Sequence, residues 1–444
     1  MGTDPRRVAM ISLHTSPLDT PGSGDAGGLN VYVRQSADRL ARLGVEVDVF
    51  TRARAATDPV VVGLAPGVRV HHVASGPFEG LVKDDLPAEI CSFAAGLARA
   101  MAARPEGFYD VVHSHYWLSG RVAMIASRRW GLPFVHTMHT MARVKNRGLA
   151  GGDRAEPPAR ERGEAQIVAV ADALVANTEL EAGDLVRLYG ARPERVRVVP
   201  PGVDLDAFEP PGADGGDERA RTRAEVGLAA DDLVVLFVGR IQLLKGPDVL
   251  LRAIAVARER AAATHPDVAR RLRVVVLGGP SGEETATPGR LADLAADLGL
   301  TEVVRFVDPV PQPRLARWYR AADLVAVPSH NESFGLVAIE AQACGTPVVA
   351  ADVGGLRTAV GGGVLVDGHD PGDWADALLA LLADPGRRAR LGRAARAHAL
   401  EFGWSRTAGR LVDVYREAME NRAHPASGAG RGRSGSGPSP ERPR

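Results

Sequence analysis

Two carboxylates stand eight residues apart in Asn331-Glu332-Ser333-Phe334-Gly335-Leu336-Val337-Ala338-Ile339-Glu340. Glu332 falls in the loop ahead of an apolar helix and Glu340 two turns inside it, while Gly335 between them leaves backbone N–H groups open to a ligand. Such an arrangement suits a site that grips hydroxyls and a phosphate. The same residues also suit an ordinary strand-loop-helix-strand unit, closed by Cys344-Gly345-Thr346-Pro347-Val348-Val349, whose acidic residue only favours the helix dipole. Upstream, Phe237-Val238-Gly239-Arg240 ends an apolar strand and Lys245-Gly246-Pro247-Asp248 opens the next helix. Two cations beside the donors of a helix start have the makings of a diphosphate clamp, with structural ion pairing as the alternative.

In the first half, His14-Thr15-Ser16-Pro17 leads into Gly22-Ser23-Gly24-Asp25-Ala26-Gly27-Gly28-Leu29-Asn30 and then an amphipathic helix. Glycines at the C-terminal end of a strand permit close backbone approach to a phosphate or sugar. A dinucleotide site is disfavoured, because the loop is far longer than a G-x-G-x-x-G turn and Asp48 lies inside strand two. His113-Ser114-His115-Tyr116-Trp117 and His136-Thr137-Met138-His139-Thr140 follow two further strands. No third ligand at metal-site spacing accompanies either pair, so they read as hydrogen-bonding groups of a polar cleft rather than a zinc site. His71-His72 look like edge-strand residues without a role. Lys83, Lys145 and Arg160 offer a second basic group.

These residues need a scaffold that brings strand ends together. Short β-branched runs alternate with Ala-, Leu- and Arg-rich helical patterns, the mark of parallel sheets covered by helices, so the fold class is α/β. Strands are expected at 7–13, 45–51, 68–73, 111–114, 134–137, 173–176 and 196–199. A second doubly wound set follows at 233–238, 273–277, 303–307, 324–327, 348–350 and 363–366. Pro200-Pro201-Gly202-Val203-Asp204 and the Gly/Asp/Pro-rich run to Asp217 mark the boundary, dividing the chain into 1–205 and 206–404. A last helix at 405–420 comes after the second sheet is complete and is expected to cross back to the first domain, with Phe402 and Trp404 anchoring a kink. Residues 421–444 lack any hydrophobic pattern and read as a disordered tail.

At 444 residues the chain exceeds one ordinary core. Lysine plus arginine balance aspartate plus glutamate at 54 each, so no overall field draws it to nucleic acid or an acidic membrane and any anion site is local. Two distant cysteines, Cys91 and Cys344, support neither disulfide nor zinc framework and suit a reducing cytoplasm. Arg6-Arg7 has the outline of a twin-arginine signal, but the apolar run behind it ends after six residues, at His14. No stretch reaches the roughly 18 apolar residues of a membrane span. Walker-type and nucleophile-elbow motifs are absent, which removes P-loop and hydrolase readings.

Taken together, the glycine loop, Gly239-Arg240 with Lys245-Gly246, and the Glu332 to Glu340 pair resemble the retaining glycosyltransferases of GT-B fold. Within that group the chain is most similar to the branch acting on inositol phosphate in mycothiol synthesis. The segments carrying this are 8–17, 24–32, 74–81, 113–120 and 331–338, and the likeness spans roughly 6–420. The resemblance implies two Rossmann-like domains facing a cleft, acceptor in the first and UDP-sugar in the second. It implies transfer of N-acetylglucosamine from UDP-GlcNAc to 1D-myo-inositol 3-phosphate with retention, releasing UDP, by a cytoplasmic homodimer that needs no cofactor for the chemistry.

Carried over by position, His14, Thr20, Pro21, Gly28, Arg240, Lys245, Val310, Glu332 and Glu340 would bind the donor. Asp25, Ala26, Gly27, Gly28, Leu29 and Asn30 would wrap the acceptor ring, and Lys83, Tyr116, Thr140 and Arg160 its phosphate. Arg240, Lys245, Glu332 and His139 would serve the chemistry, Glu332 by positioning rather than covalent attack. Tyr319, Arg320, Ala322 and Thr346 would hold a structural magnesium ion. Another phosphorylated acceptor, or a nucleotide-sugar-binding protein without turnover, are the competing readings. The sequence departs from the group's pattern at His330, at Pro309-Val310-Pro311-Gln312 and at Cys344.

Overall fold

A computed structural model describes residues 4–22, 26–81, 83–149, 154–212, 215–280 and 289–423, leaving out the side chain of Lys83. Asp25 and the expected tail beyond Ala423 lie outside the described residues. The first sheet is built from β1 (Arg7–Ile11), β2 (Glu46–Arg52), β3 (Val61–Ala65), β4 (Val68–Val73), β5 (Val111–His115), β6 (Phe134–Thr137), β7 (Ala173–Ala176) and β8 (Val196–Val198). Among the described residues its order is β3-β4-β2-β1-β5-β6-β7-β8. The second contains β9 (Leu233–Val238), β10 (Leu272–Leu277), β11 (Val304–Val307), β12 (Leu324–Val327), β13 (Val348–Ala351) and β14 (Gly363–Val366), in the order β11-β10-β9-β12-β13-β14. All pairings are parallel except β3 with β4.

Both faces of each sheet are covered, which is why the strands read as unbroken apolar runs. Val8 and Met10 face the helix Gly28–Arg42 through Val33, Ala37 and Leu40. Ala9 and Ile11, one residue out of phase, belong to the opposite core with Phe93, Leu97, Leu118 and Val122. In the second domain Val235 and Phe237 pack with Leu250, Ile254 and Trp374, while Val234 and Leu236 pack with Trp318, Tyr319 and Ile339.

The antiparallel strand β3 was not expected from sequence. It is a half-exposed edge, with Gly63 inside it and a register shift between Gly63 and Ala65, so it carries no clean alternation. Its presence also corrects the reading of His71-His72: β4 lies inside the sheet, and His71 is buried with Nε2 3.1 Å from Asp48 Oδ1 and its ring stacked on Phe50.

The chain crosses between domains twice, side by side. Val203 N donates to Phe402 O at 2.7 Å and Trp404 N to Val203 O at 3.4 Å. Gly202 has no room for a side chain, since a Cβ there would lie 2.5 Å from the Trp404 backbone. Phe402 stacks toward Phe334 of the second domain, whereas Trp404 meets Tyr32 of the first. From there the helix Trp404–Ala423 lays Ala408, Leu411, Val414 and Tyr415 on the first sheet. It runs past the expected end at residue 420, and Asn421, Arg422 and Ala423 are helical rather than tail. Arg422 holds that turn down through Asp172 Oδ2 at 2.9 Å and Ser127 O.

Candidate active site

In each sheet the strand order reverses beside a central strand, between β1 and β5 in one and between β9 and β12 in the other. Connections leave in opposite directions at such a point and open a crevice beyond the C-terminal strand ends. His14 follows β1, Tyr116 follows β5, and His139 with Thr140 follows β6. Arg240 follows β9 and Glu332 follows β12. The two crevices face one another. Gly279 N donates to Gly22 O at 3.2 Å, a Cβ on Gly27 would stand 3.5 Å from Arg240 Nε, and one on Gly28 3.4 Å from Leu336 Cδ1. The glycines thus let the second domain approach the first.

On the second-domain side Lys245 Nζ lies 2.5 Å from Glu332 Oε2, with side chains 24% and 17% exposed. Lys245 is aimed by Gly246, whose φ of +67° and whose close approach to Pro328 O exclude a side chain. The Glu332 loop is clasped from behind by Gly354-Gly355: Gly355 N donates to Glu332 O at 2.8 Å, and a Cβ on Gly354 would fall 2.1 Å from the same oxygen. Gly335, at φ +104°, turns the chain into the helix Leu336–Ala343, whose first N–H groups lack intrahelical partners and whose Leu336 side chain meets the Gly28 loop. Glu340 is buried and accepts from Tyr319 Oη at 2.8 Å; burial pushes its carboxyl up to about 7, with the tyrosine pulling the other way. Thr20 and Pro21 are exposed on the facing loop, and Val310 is half-buried beside Pro309, which abuts Gly22.

On the first-domain side Tyr116, Thr140 and Arg160 come together. Arg160 Nη2 donates to Thr140 Oγ1 at 2.8 Å and to its carbonyl at 3.1 Å, and the guanidinium lies 4.8 Å from the Tyr116 ring centroid. Its Nε donates to Glu164 at 2.7 Å and Nη1 pairs with Glu156 at 2.8 Å. Burial works against the Arg160 charge, but Tyr116, Glu164 and Glu156 outweigh it and hold the group protonated. Lys83 opens a 3-10 turn over 83–89, and its side chain lies outside the described residues. In the glycine loop Ala26 and Asn30 are buried and Leu29 is half-buried. The Asn30 amide is engaged by the loop itself, donating to Ser16 O at 2.6 Å and accepting from Gly27 N at 3.0 Å, so it shapes this wall from inside.

Tyr116 and His139 are the non-glycine residues with positive φ among those described, at +71° and +62°. Backbone held in that region costs roughly 1–3 kcal/mol and persists where a side chain must be aimed. His139 packs edge-on to Tyr32 and its Nε2 lies 3.0 Å from His115 Nδ1. The other histidines differ from the cleft-lining reading. His113, His115 and His136 are fully buried, because β5 and β6 are covered on both faces, and His113 meets Tyr415 Oη at 2.8 Å and Thr137 at 2.9 Å. Burial drives His136 and His139 down to about 3, and His113 and His115 well below the usual value, so all four are neutral. No cluster of three or more His, Cys, Asp or Glu side chains suited to a metal occurs among the described residues.

A family model described as glycosyl transferase 4-like domain matches residues 27–202, and one described as glycosyl transferases group 1 matches 218–398. The D-inositol 3-phosphate glycosyltransferase of Xylanimonas cellulosilytica is 58% identical over 424 residues, covering 95% of this chain and 99% of its own. That of Thermobispora bispora is 59% identical over 417 residues, covering 93% and 95%. The chain belongs to the D-inositol 3-phosphate glycosyltransferase family. Among solved structures, sucrose-phosphate synthase from Thermosynechococcus elongatus matches with a TM-score of 0.83 at 31% identity, over 94% of this chain and 99% of its own. Anabaena HepE, solved with UDP and glucose, matches at 0.72 and 21% identity over 92% and 98%, a likeness of fold alone.

Glu156, Glu164, Gly354 and Gly355 shape the cleft of this glycosyltransferase and are not among the residues singled out in sequence. Glu156, Arg160 and Glu164 form an acidic-basic-acidic ladder at i, i+4 spacing, a signal that was there to read. Gly354-Gly355 offered only a glycine pair with nothing to say which loop it backs. Tyr319, Arg320 and Ala322 end the helix Gln312–Ala321, and Thr346 Oγ1 donates to Tyr319 O at 2.7 Å. The Arg320 guanidinium points away to Glu218 at 2.6 Å, leaving its carbonyl, while the Ala322 carbonyl accepts from Arg219 Nη1 at 3.4 Å. Neutral oxygens at a helix C-terminus suit a hard cation, and the missing carboxylate suits one that keeps several waters.

Proposed function

We propose that the protein transfers N-acetylglucosamine from UDP-GlcNAc to the hydroxyl of 1D-myo-inositol 3-phosphate with retention, the first step of mycothiol biosynthesis. Full-length identity of 56–59% to proteins bearing the inositol phosphate glycosyltransferase name carries the reading. The cleft chemistry supports it. As the bond from sugar C1 to the diphosphate oxygen breaks, positive charge grows on the sugar and negative charge on UDP. Fixed cations at Arg240 and Lys245, with the helix start after Gly335, stabilise that separation. The acceptor oxygen forms its bond to C1 on the face the diphosphate leaves, and its proton passes to a diphosphate oxygen, so the configuration is kept without a carboxylate nucleophile.

Glu332, tied to Lys245, positions the donor sugar, and Glu340 faces the ribose. Neutral His139 orients the sugar and does not carry the proton. Tyr116, Thr140, Arg160 and Lys83 receive the acceptor phosphate. A magnesium ion would be held by the carbonyls of Tyr319, Arg320 and Ala322 with Thr346, supplying local structure and no step of the reaction. A homodimer in the cytoplasm belongs to the same proposal and rests on the family resemblance. The test is UDP release over a panel of donors with and without inositol 3-phosphate, followed by mass analysis of the product. Release that does not depend on this acceptor overturns the reading.

A further inference from the structure

Two cations beside the acceptor pocket, Lys145 and Arg160, are already paired. Glu156 places one carboxylate oxygen on Lys145 Nζ and the other on Arg160 Nη1, the latter at 2.8 Å. One anion whose separate oxygens bridge two cations is the arrangement a phosphate also makes. The two acids near Arg160 differ in kind. Glu164 is fully buried and bound on all sides, by Arg160 Nε, Tyr189 Oη and Ala142 N, so it is part of the frame. Glu156 is 17% exposed, and among the described residues its carboxylate bonds to the two cations alone, while its backbone is pinned separately by Asn146 Oδ1 at 2.7 Å and Nδ2 at 3.3 Å.

The donor count shows what an incoming phosphate meets. Of the five N–H donors of the guanidinium, Nε is engaged by Glu164, Nη2 by Thr140 and one of Nη1 by Glu156. The charges also cancel, Lys145 and Arg160 against Glu156 and Glu164. Among these four side chains, a phosphate that keeps Glu156 in place meets a neutral group beside a carboxylate and finds a single guanidinium donor. Burial alone would raise the Glu156 carboxyl, but Arg160 and Lys145 pull it below its ordinary value, so it stays ionised and repels a second anion.

We propose that the Glu156 carboxylate is an internal stand-in for the acceptor phosphate: it occupies the Lys145–Arg160 pair until the phosphate displaces it, and so makes the phosphate a condition of entry. This rests on the reading of Tyr116, Thr140 and Arg160 as the phosphate site. An unphosphorylated inositol cannot dislodge an ion pair and gains nothing from the cations, whereas a dianion replaces one bridging acid with another. The cost of displacement appears in acceptor affinity and not in donor affinity.

The experiment compares wild type with Glu156→Gln, which keeps the side-chain volume and the Asn146 clamp on the backbone. Two quantities are measured: KM for inositol 3-phosphate, and Ki of inorganic phosphate competing with it. Removing the competing charge should lower both by about tenfold or more, since charged hydrogen bonds are worth about 1.5 kcal/mol or above and tenfold is about 1.4. KM for the donor should not move. Values that stay unchanged or rise mean that Glu156 is a fixed positioning group for Lys145 and Arg160, and overturn the proposal. Should Glu156→Gln not fold, Glu156→Asp withdraws the charge by one methylene, and the same signs decide. A wild-type enzyme that uses unphosphorylated myo-inositol equally well and is indifferent to inorganic phosphate refutes instead the underlying assignment of the pocket.

Discussion

Replacing Lys245 by methionine separates the two things its ammonium does. In the structure it is 2.5 Å from Glu332 Oε2 with both side chains partly exposed. A pair of that exposure contributes about 1 kcal/mol to folding at most, after screening and side-chain ordering. Against a diphosphate that gains charge as the C1–O bond breaks, a fixed donor is worth about 2.7–4 kcal/mol, or 10²–10³ in rate. Glu332 offsets part of the field, so the expected loss in kcat is near the lower end, about 100-fold. The stability loss, read by urea unfolding, should stay within about 1 kcal/mol. Glu332→Gln should lower kcat less, about tenfold, and the double variant should recover stability relative to Lys245→Met alone, because no partly buried charge is left without its partner. The assay is UDP release at saturating donor and acceptor, with a burst experiment to show that chemistry limits turnover. If kcat stays within about threefold and only the donor KM rises, Lys245 binds ground state and transition state alike, and the transition-state role is refuted.

Gly354→Ala tests the clasp behind Glu332. Its φ is +48° and the new Cβ would fall 2.1 Å from the Glu332 carbonyl, so backbone must shift; kcat should fall by more than about tenfold, and unchanged turnover sinks the idea that this turn aims Glu332. The buried ionisable groups predict a pH response. Histidines 113, 115, 136 and 139 have folded values below the unfolded one. Their contribution is therefore complete above about pH 6.5 and lost progressively as pH falls below it, at up to about 1.4 kcal/mol per unit for each. Glu181 and Glu340, raised to about 7 by burial, act in the opposite sense and favour the fold as pH drops through 7. Denaturant unfolding should show stability declining from pH 7 to 5.5, and declining more steeply in Glu340→Gln, where one compensating group is gone. A flat wild-type profile together with an unaltered Glu340→Gln slope contradicts this balance.

The architecture was legible because parallel strands covered on both faces must be apolar on both faces, so runs such as Leu233–Val238 and Phe134–Thr137 announce themselves. The half-exposed β3, interrupted by Gly63, did not, and with it went the placing of His71 beside Asp48. Charged residues at strand ends were legible as candidates for the same reason: Arg240, Lys245 and Glu332 have no place in a sheet core, and loops at the C-terminal edge are where ligands meet an α/β domain. Residue type and spacing thus determined the two Rossmann-like halves, the reaction class through the resemblance, and which side chains could touch anions.

Only the tertiary structure decided who faces whom. Lys245 and Glu332 are 87 residues apart and meet because β9 and β12 are neighbours in the sheet. His139 and Tyr116 are aimed by left-handed backbone that no propensity predicts for those residue types. The histidines of β5 and β6 read as groups lining a polar cleft in sequence and are neutral interior groups in space, since burial is a property of the packed sheet and not of the residue. Arg160 was named by position, yet its charge is already matched by Glu156 and Glu164, which helical periodicity hints at and distances alone establish. A sequence lists the charges available; electrostatics falls off over a few ångströms, so which charges are free to bind a phosphate is settled only when the fold has set those distances.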